Sequence, residues 1–191
     1  DIEMALEGLK VLEKSKKISY TAFRYHLEVG LEQLWTWVGS ALDDYHEKDL
    51  LALTVKLEKE LNDKSEDELL KKVKAIVEKE LTKSRRLTNR LGEQPHLIRK
   101  LFKDIFYWAS LQPKAILPPE QLKAINKSLD YLGNWQDLEM LHRKIKHFRK
   151  DFVPDTKEVH HQLKQLEKTI IAKQEKIVDR ARENINKALA H

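Results

Sequence analysis

Apolar positions recur at helical spacing along almost the whole chain, and no stretch alternates as a strand would. Leu6, Leu9 and Leu12 mark a first helix over 2–14. Leu27, Leu31, Leu34 and Val38 mark a second over 20–42, and a third covers 48–61. Ser65-Glu66-Asp67-Glu68 reads as a capping box. It opens a long helix through Leu69, Val73, Ile76, Val77, Leu81 and Leu87 to residue 91, with Gly92 as a left-handed cap. Pro95 suits the first turn of a helix over 95–111, where its missing N–H is not needed. A loop over 112–119 precedes a helix over 119–132 that Gly133 ends. Asn134 then caps a helix over 135–150. After the break at Pro154-Asp155, a last helix runs over 156–190 on the seam Val159, Leu163, Leu166, Ile170, Ile177 and Ile185.

This predicts an all-α fold of helical hairpins packed as bundles, with long helices at 65–91 and 156–190. Composition agrees. Gly and Pro number only five each in 191 residues, too few for the tight turns of a sheet protein. Hydrophobic residues at 41% supply a core. No Cys is present, which excludes disulfides, thiolate catalysis and Cys-ligated zinc. No apolar run is long enough to span a membrane. The chain opens on Asp1 without an initiator Met, so residues are expected upstream, and the lack of a targeting signal carries little weight.

Charge sharpens the picture. The net charge is +5 and is unevenly spread: residues 1–92 hold 17 Lys/Arg against 18 Asp/Glu, and 93–191 hold 19 against 13. Lys83, Arg85, Arg86, Arg90, Arg99, Lys100 and Lys103 fall in one stretch with a single acid, Glu93. A second run, Arg143, Lys144, Lys146, Arg149 and Lys150, has no acid within it. Such clusters favour an anionic partner: nucleic acid, a phospholipid surface or another polyanion. On a helix, His96, Arg99, Lys100, Lys103 and Tyr107 fall within an arc of about 100°. Leu97, Ile98, Leu101, Phe102, Ile105 and Trp108 take the other side. Arg offers a planar fork to phosphate oxygens, and Lys a compact charge. Any surface helix has one apolar and one charged face. The missing acids, and Arg86 and Arg90 one turn apart just upstream, weigh toward a binding ridge.

Other constellations are weaker. His160 and His161 are adjacent and diverge on a helix. His142 and His147 are five apart, and His26 and His46 stand alone, so no metal site is expected. Trp35 and Trp37 are expected to pack in the core, at least one of them, and Trp108 and Trp135 likewise. Only Tyr107 could serve as a base-stacking platform. No Gly-rich phosphate loop or nucleophile motif occurs, and Asp43-Asp44 and Glu66-Asp67-Glu68 suit helix starts better than metal-assisted hydrolysis.

The run His96-Leu97-Ile98-Arg99-Lys100-Leu101-Phe102-Lys103 resembles the His-x-x-Arg-Lys-x-x-Lys signature of the CHAD family, the conserved histidine α-helical domain. Tyr107 stands where that family often has Tyr. Tyr131-Leu132-Gly133-Asn134-Trp135-Gln136-Asp137-Leu138 resembles its second signature, Leu-Gly-x-x-(Asn/Arg)-Asp-hydrophobic. The two cover roughly residues 93–150. Asp104, Phe106 and Gln136 depart from the pattern. The resemblance implies two pseudo-twofold-related four-helix bundle repeats within one domain, residues 1–92 completing the first and 93–191 forming the second. It implies inorganic polyphosphate as ligand, no catalysis, no cofactor and a cytoplasmic location, in association with polyphosphate granules. On it, His96, Arg99, Lys100 and Lys103 are the primary phosphate contacts. Tyr107, Arg85, Arg86 and Arg90 support them, the run from Arg143 is a weaker candidate, and Asp137 is structural. It also accounts for an echo at an offset of 136: Asp1-Ile2-Glu3-Met4 matches Asp137-Leu138-Glu139-Met140, with Lys10 on Lys146 and Lys14 on Lys150. The first repeat's own His/Arg helix then lies upstream of Asp1. The rival readings are a nucleic-acid-binding helical protein and a protein-interaction scaffold.

Overall fold

The computed structural model of the protein describes residues 2–16, 20–43, 47–62, 64–111, 116–151 and 157–190. All regular structure there is helical: α1 (Ile2–Lys16), α2 (Thr21–Asp43), α3 (Glu47–Asn62), α4 (Glu66–Leu87), α5 (Pro95–Ser110), α6 (Pro119–Asp151) and α7 (Lys157–Leu189). Ser65 caps α4 by accepting the Glu68 N–H at 3.2 Å, and Pro95 occupies the first turn of α5. The breaks at 112–115 and 152–156, with Pro154-Asp155, lie outside the described residues.

Two cores form. One joins α4, α5, the first half of α6 and the second half of α7, through Val77, Leu91, Ile98, Phe102, Ile105, Ile125 and Ile185. The other joins α1, the start of α2, the second half of α6 and the first half of α7, through Leu9, Phe23, Leu27, Leu141, Ile145 and Ile170. The two long helices run antiparallel. Gln121 of α6 donates to the Ala188 carbonyl near the end of α7, and Arg149 near the end of α6 meets Glu167. Each is 33 residues, so about 50 Å, and together they tie the two cores. Core membership crosses residue 92, because α4 packs with α5.

The expected pair of helices over 119–132 and 135–150 is a single helix. Gly133 and Asn134 are interior positions of α6, and neither ends nor caps anything. The reason lies in the stripe that α6 buries. Gln121, Ile125, Ser128 and Leu132 share one face, and Leu141, Ile145 and Phe148 share another. From Leu132 to Leu141 is nine residues, so the stripe moves about half a revolution. The helix keeps its course while passing from one core to the other, and the loss of phase imitates a chain break.

Two further expectations are corrected. The helix from Glu66 ends at Leu87, and a 3₁₀ turn (Thr88–Arg90) carries the chain on. Gly92 is not in the left-handed region, so the tightened turn closes the helix rather than a glycine cap. Trp35 and Trp37 are 58% and 68% exposed, not core residues. They lie on the part of α2 past Leu31, where only Val38 is even half-buried, and every side chain described on α3 is exposed.

Candidate functional site

Helix α5 presents the basic ridge because its other face is anchored. Ile98, Phe102 and Ile105 are fully buried, which turns His96, Lys100 and Tyr107 to the exterior and leaves Arg99 and Lys103 half-buried. Leu97 and Trp108 depart from the expected apolar side and are exposed. The ridge has three parts. His96 opens onto a cavity of about 380 Å³ between the start of α5 and the middle of α6, shared with Glu93, Trp135, Gln136, Glu139 and Arg143. Lys100 belongs to the opposite flank, in a groove of about 540 Å³ between α4 and α5 that also holds Lys83 and Arg86. Arg99 lies between them, across α6.

Gly133 makes that crossing close. A Cβ at this position would stand 3.8 Å from Arg99 Nη2 and 3.9 Å from Nε. These are ordinary contact distances, so the guanidinium lies along the helix at a position that an alanine would also fit. Arg99 Nε is buried and has no protein acceptor. Asp137, one turn beyond Gly133, is half-buried. Burial pushes its carboxyl above the ordinary range, and the Arg99 charge pulls the other way. One turn beyond Lys100, Lys103 Nζ sits 5.7 Å from the Tyr107 ring centroid, within cation–π range.

Neither His96, Arg99, Lys100 nor Lys103 has an ion-pair partner among the described residues, although Asp104 is on the same helix. Buried polar atoms are normally satisfied, so the bare Arg99 Nε is an unmet demand for an acceptor. The supporting arginines are not gathered on this ridge. Arg85 turns to the other side of α4 and donates to the Leu189 carbonyl at the end of α7. Arg86 joins Lys100 in the groove, and Arg90 is exposed on the 3₁₀ turn, so the break at Thr88 separates the two arginines expected on one helical side.

Two of the five cations of the second basic run are paired among the described residues. Arg143 donates to Glu139 at 3.0 Å, and Arg149 to Glu167 at 2.6 Å. Burial works against the Glu139 charge, but hydrogen bonds from Arg143 and Gln174 outweigh it and hold the carboxyl below its usual range. His26, which the sequence leaves isolated, packs on Phe148 with ring centroids 5.0 Å apart. Burial lowers its pKa, and Lys144 and His147 lower it further. No spacing within one helix could have shown this cluster, because α2 and α6 meet only in the fold. Among the described residues no group of three His, Asp or Glu side chains could hold a metal, and no helix is long and apolar enough to cross a membrane.

The fold and surface thus define an all-helical protein with two cores on a shared helical pair and a helix face whose cations form no ion pair among the described residues. No family model, curated protein or solved structure matches the chain. The CHAD likeness therefore rests on the two motifs themselves.

Proposed function

We propose that this chain captures a linear phosphate polymer, inorganic polyphosphate, on the outer face of α5 without breaking a bond. The observation that carries the reading is the set of cations on α5, His96, Arg99, Lys100 and Lys103, that form no ion pair among the described residues. From His96 to Tyr107 the ridge extends about 16 Å along the helix, enough to meet several units of an extended chain. Arg99 supplies a fork that α6 and Asp137 hold in place. Lys100 and Lys103 supply point charges, and His96 a further donor. Capture replaces the polymer's counterions with these fixed charges, so affinity falls as salt rises.

The helix bounds support the two-repeat reading that the CHAD likeness implies. Helix α6 ends at Asp151 and α7 begins at Lys157. These stand 135 and 136 positions after Lys16, where α1 ends, and Thr21, where α2 begins. This is the register of the sequence echo. On this reading the protein acts in the cytoplasm, where polyphosphate granules form.

The test is calorimetric titration with long-chain polyphosphate at low and high salt, beside a variant carrying His96→Ala, Arg99→Ala and Lys103→Ala. The expected result is salt-sensitive binding that weakens at least tenfold in the variant, on the scale of about 1.4 kcal/mol per decade. Competition with RNA adds a second arm. Polyphosphate should displace RNA more readily than RNA displaces polyphosphate. Binding that ignores salt or the triple substitution refutes the site.

A further inference from the structure

Past Leu31, α2 leaves its bundle. The next twelve residues project about 18 Å beyond the region that α1 covers, where the Ile2 side chain meets Gly30. This arm carries Leu31, Leu34, Trp35, Val38 and Leu42 at the spacing i, i+3, i+4, i+7, i+11, which is the pattern of a helix that seats in an apolar groove. Leu34, Trp35 and Leu42 are exposed. Glu28 and Glu32 flank the stripe, and no Lys or Arg occurs between residues 25 and 43.

The same chain has a matching groove. Leu87, Leu97 and Leu101 floor the cleft between α4 and α5, and Lys83, Arg86 and Lys100 stand around it. Its acids are Glu80, which pairs with Lys83 at 2.5 Å, and Asp104. The α4–α5 segment as a whole, residues 65–111, holds eleven Lys/Arg against seven Asp/Glu. An acidic apolar helix and a cationic apolar groove are thus both open on one molecule, on different cores.

We infer that the arm of one copy seats in the α4–α5 groove of a second copy. In a two-fold pair each arm fills the other's groove, so both apolar faces are covered at once and the complementary charges set the register. An arm-to-arm contact lacks that pairing, because its charges near the stripe are all acidic. The inference does not depend on polyphosphate capture, and its test uses no polyanion.

Sedimentation over a concentration series should show the 22.6 kDa chain doubling in mass, less readily at high salt. Glu28→Lys with Glu32→Lys in one variant, and Arg86→Glu with Lys100→Glu in another, should each abolish association, with helicity by circular dichroism unchanged. Mixing the two variants should restore the dimer, since every arm then meets a groove of opposite charge. A wild type that stays monomeric overturns the proposal. So does a mixture that fails to associate, or association that either reversal leaves intact, as an arm-to-arm contact would for the groove variant.

Discussion

Replacing Gly133 with Ala separates two accounts of α6 by the sign of its effect. If the glycine ended a helix in the left-handed region, a Cβ would strain the backbone and Ala would destabilise by about 1 kcal/mol or more. The structure has Gly133 inside a continuous helix, with φ outside that region. An interior Gly→Ala change is worth about 0.8–1.0 kcal/mol in favour of the helix, chiefly through backbone entropy. The new methyl meets only Arg99 Nη2 and Nε at 3.8 and 3.9 Å, ordinary contact distances, so nothing offsets the gain. For a chain of this size about 1 kcal/mol raises Tm by roughly 2–4 °C. Thermal unfolding followed by circular dichroism reads it directly. Gly133→Val adds two further methyls beside the guanidinium and should displace Arg99, so on the proposed function polyphosphate affinity drops for Val while Ala keeps it. A Tm several degrees below wild type for Gly133→Ala would falsify the continuous-helix account of this position.

Breaking the Arg149–Glu167 pair by Arg149→Met strands a carboxylate that is only 8% exposed. A buried pair broken on one side loses about 3–5 kcal/mol. Because the Arg149 side chain is 35% exposed, about 2 kcal/mol is expected from urea denaturation, and no loss at all would show the pair to be ornamental. Stability should also fall in mild acid. Burial lowers the pKa of both His26 and His142, with Lys144 and His147 adding to it at His26 and Lys146 at His142; Glu139 and Glu167 oppose it there. Above about pH 6.5 both rings are neutral folded or unfolded, and below it the unfolded chain takes protons that the fold resists. Urea midpoints at about pH 7.5 and about pH 5.5 should therefore diverge for the wild type and converge for His26→Asn/His142→Asn. Equal divergence in both proteins would assign the acid sensitivity elsewhere.

Most helix positions were legible because each answers to a local rule. Ser65 and Pro95 announce starts, and the spacing of Leu6, Leu9 and Leu12 or of Val73, Val77 and Leu81 marks a buried face. Local rules failed where a residue answers to more than its own helix. The 3.6-residue rhythm of α6 breaks at Gly133 because its neighbours change there, and a rule that equates lost phase with a chain break must read two helices. Trp35 failed for the opposite reason. Its spacing with Leu31 and Val38 is that of a core stripe, but that part of α2 meets no other helix that covers it. Periodicity shows that a face wants burial; it does not show what buries it.

The two basic runs make the same point for the candidate site. Both read as cation-rich segments short of acids, and composition ranks them alike. Folding separates their arginines by what it brings near, while Lys144, Lys146 and Lys150 form no ion pair among the described residues. Glu167, eighteen residues downstream of Arg149, reaches it because α7 returns along α6, and Glu139 turns to Arg143 one helical turn away. Glu93 and Glu139 line the cavity at His96, and Glu80 and Asp104 the groove at Lys100, but none of them forms an ion pair with an α5 cation among the described residues. Helix α5 packs against α4 and α6 through apolar contacts, and the part of α6 it crosses offers Gly133 and then Asp137 rather than a paired carboxylate. A carboxylate in hydrogen-bond contact would satisfy Arg99 Nε; among the described residues none does, and Asp137 meets Arg99 only through its charge. Whether an arginine on this protein is paired or left open is therefore a property of the opposing helix.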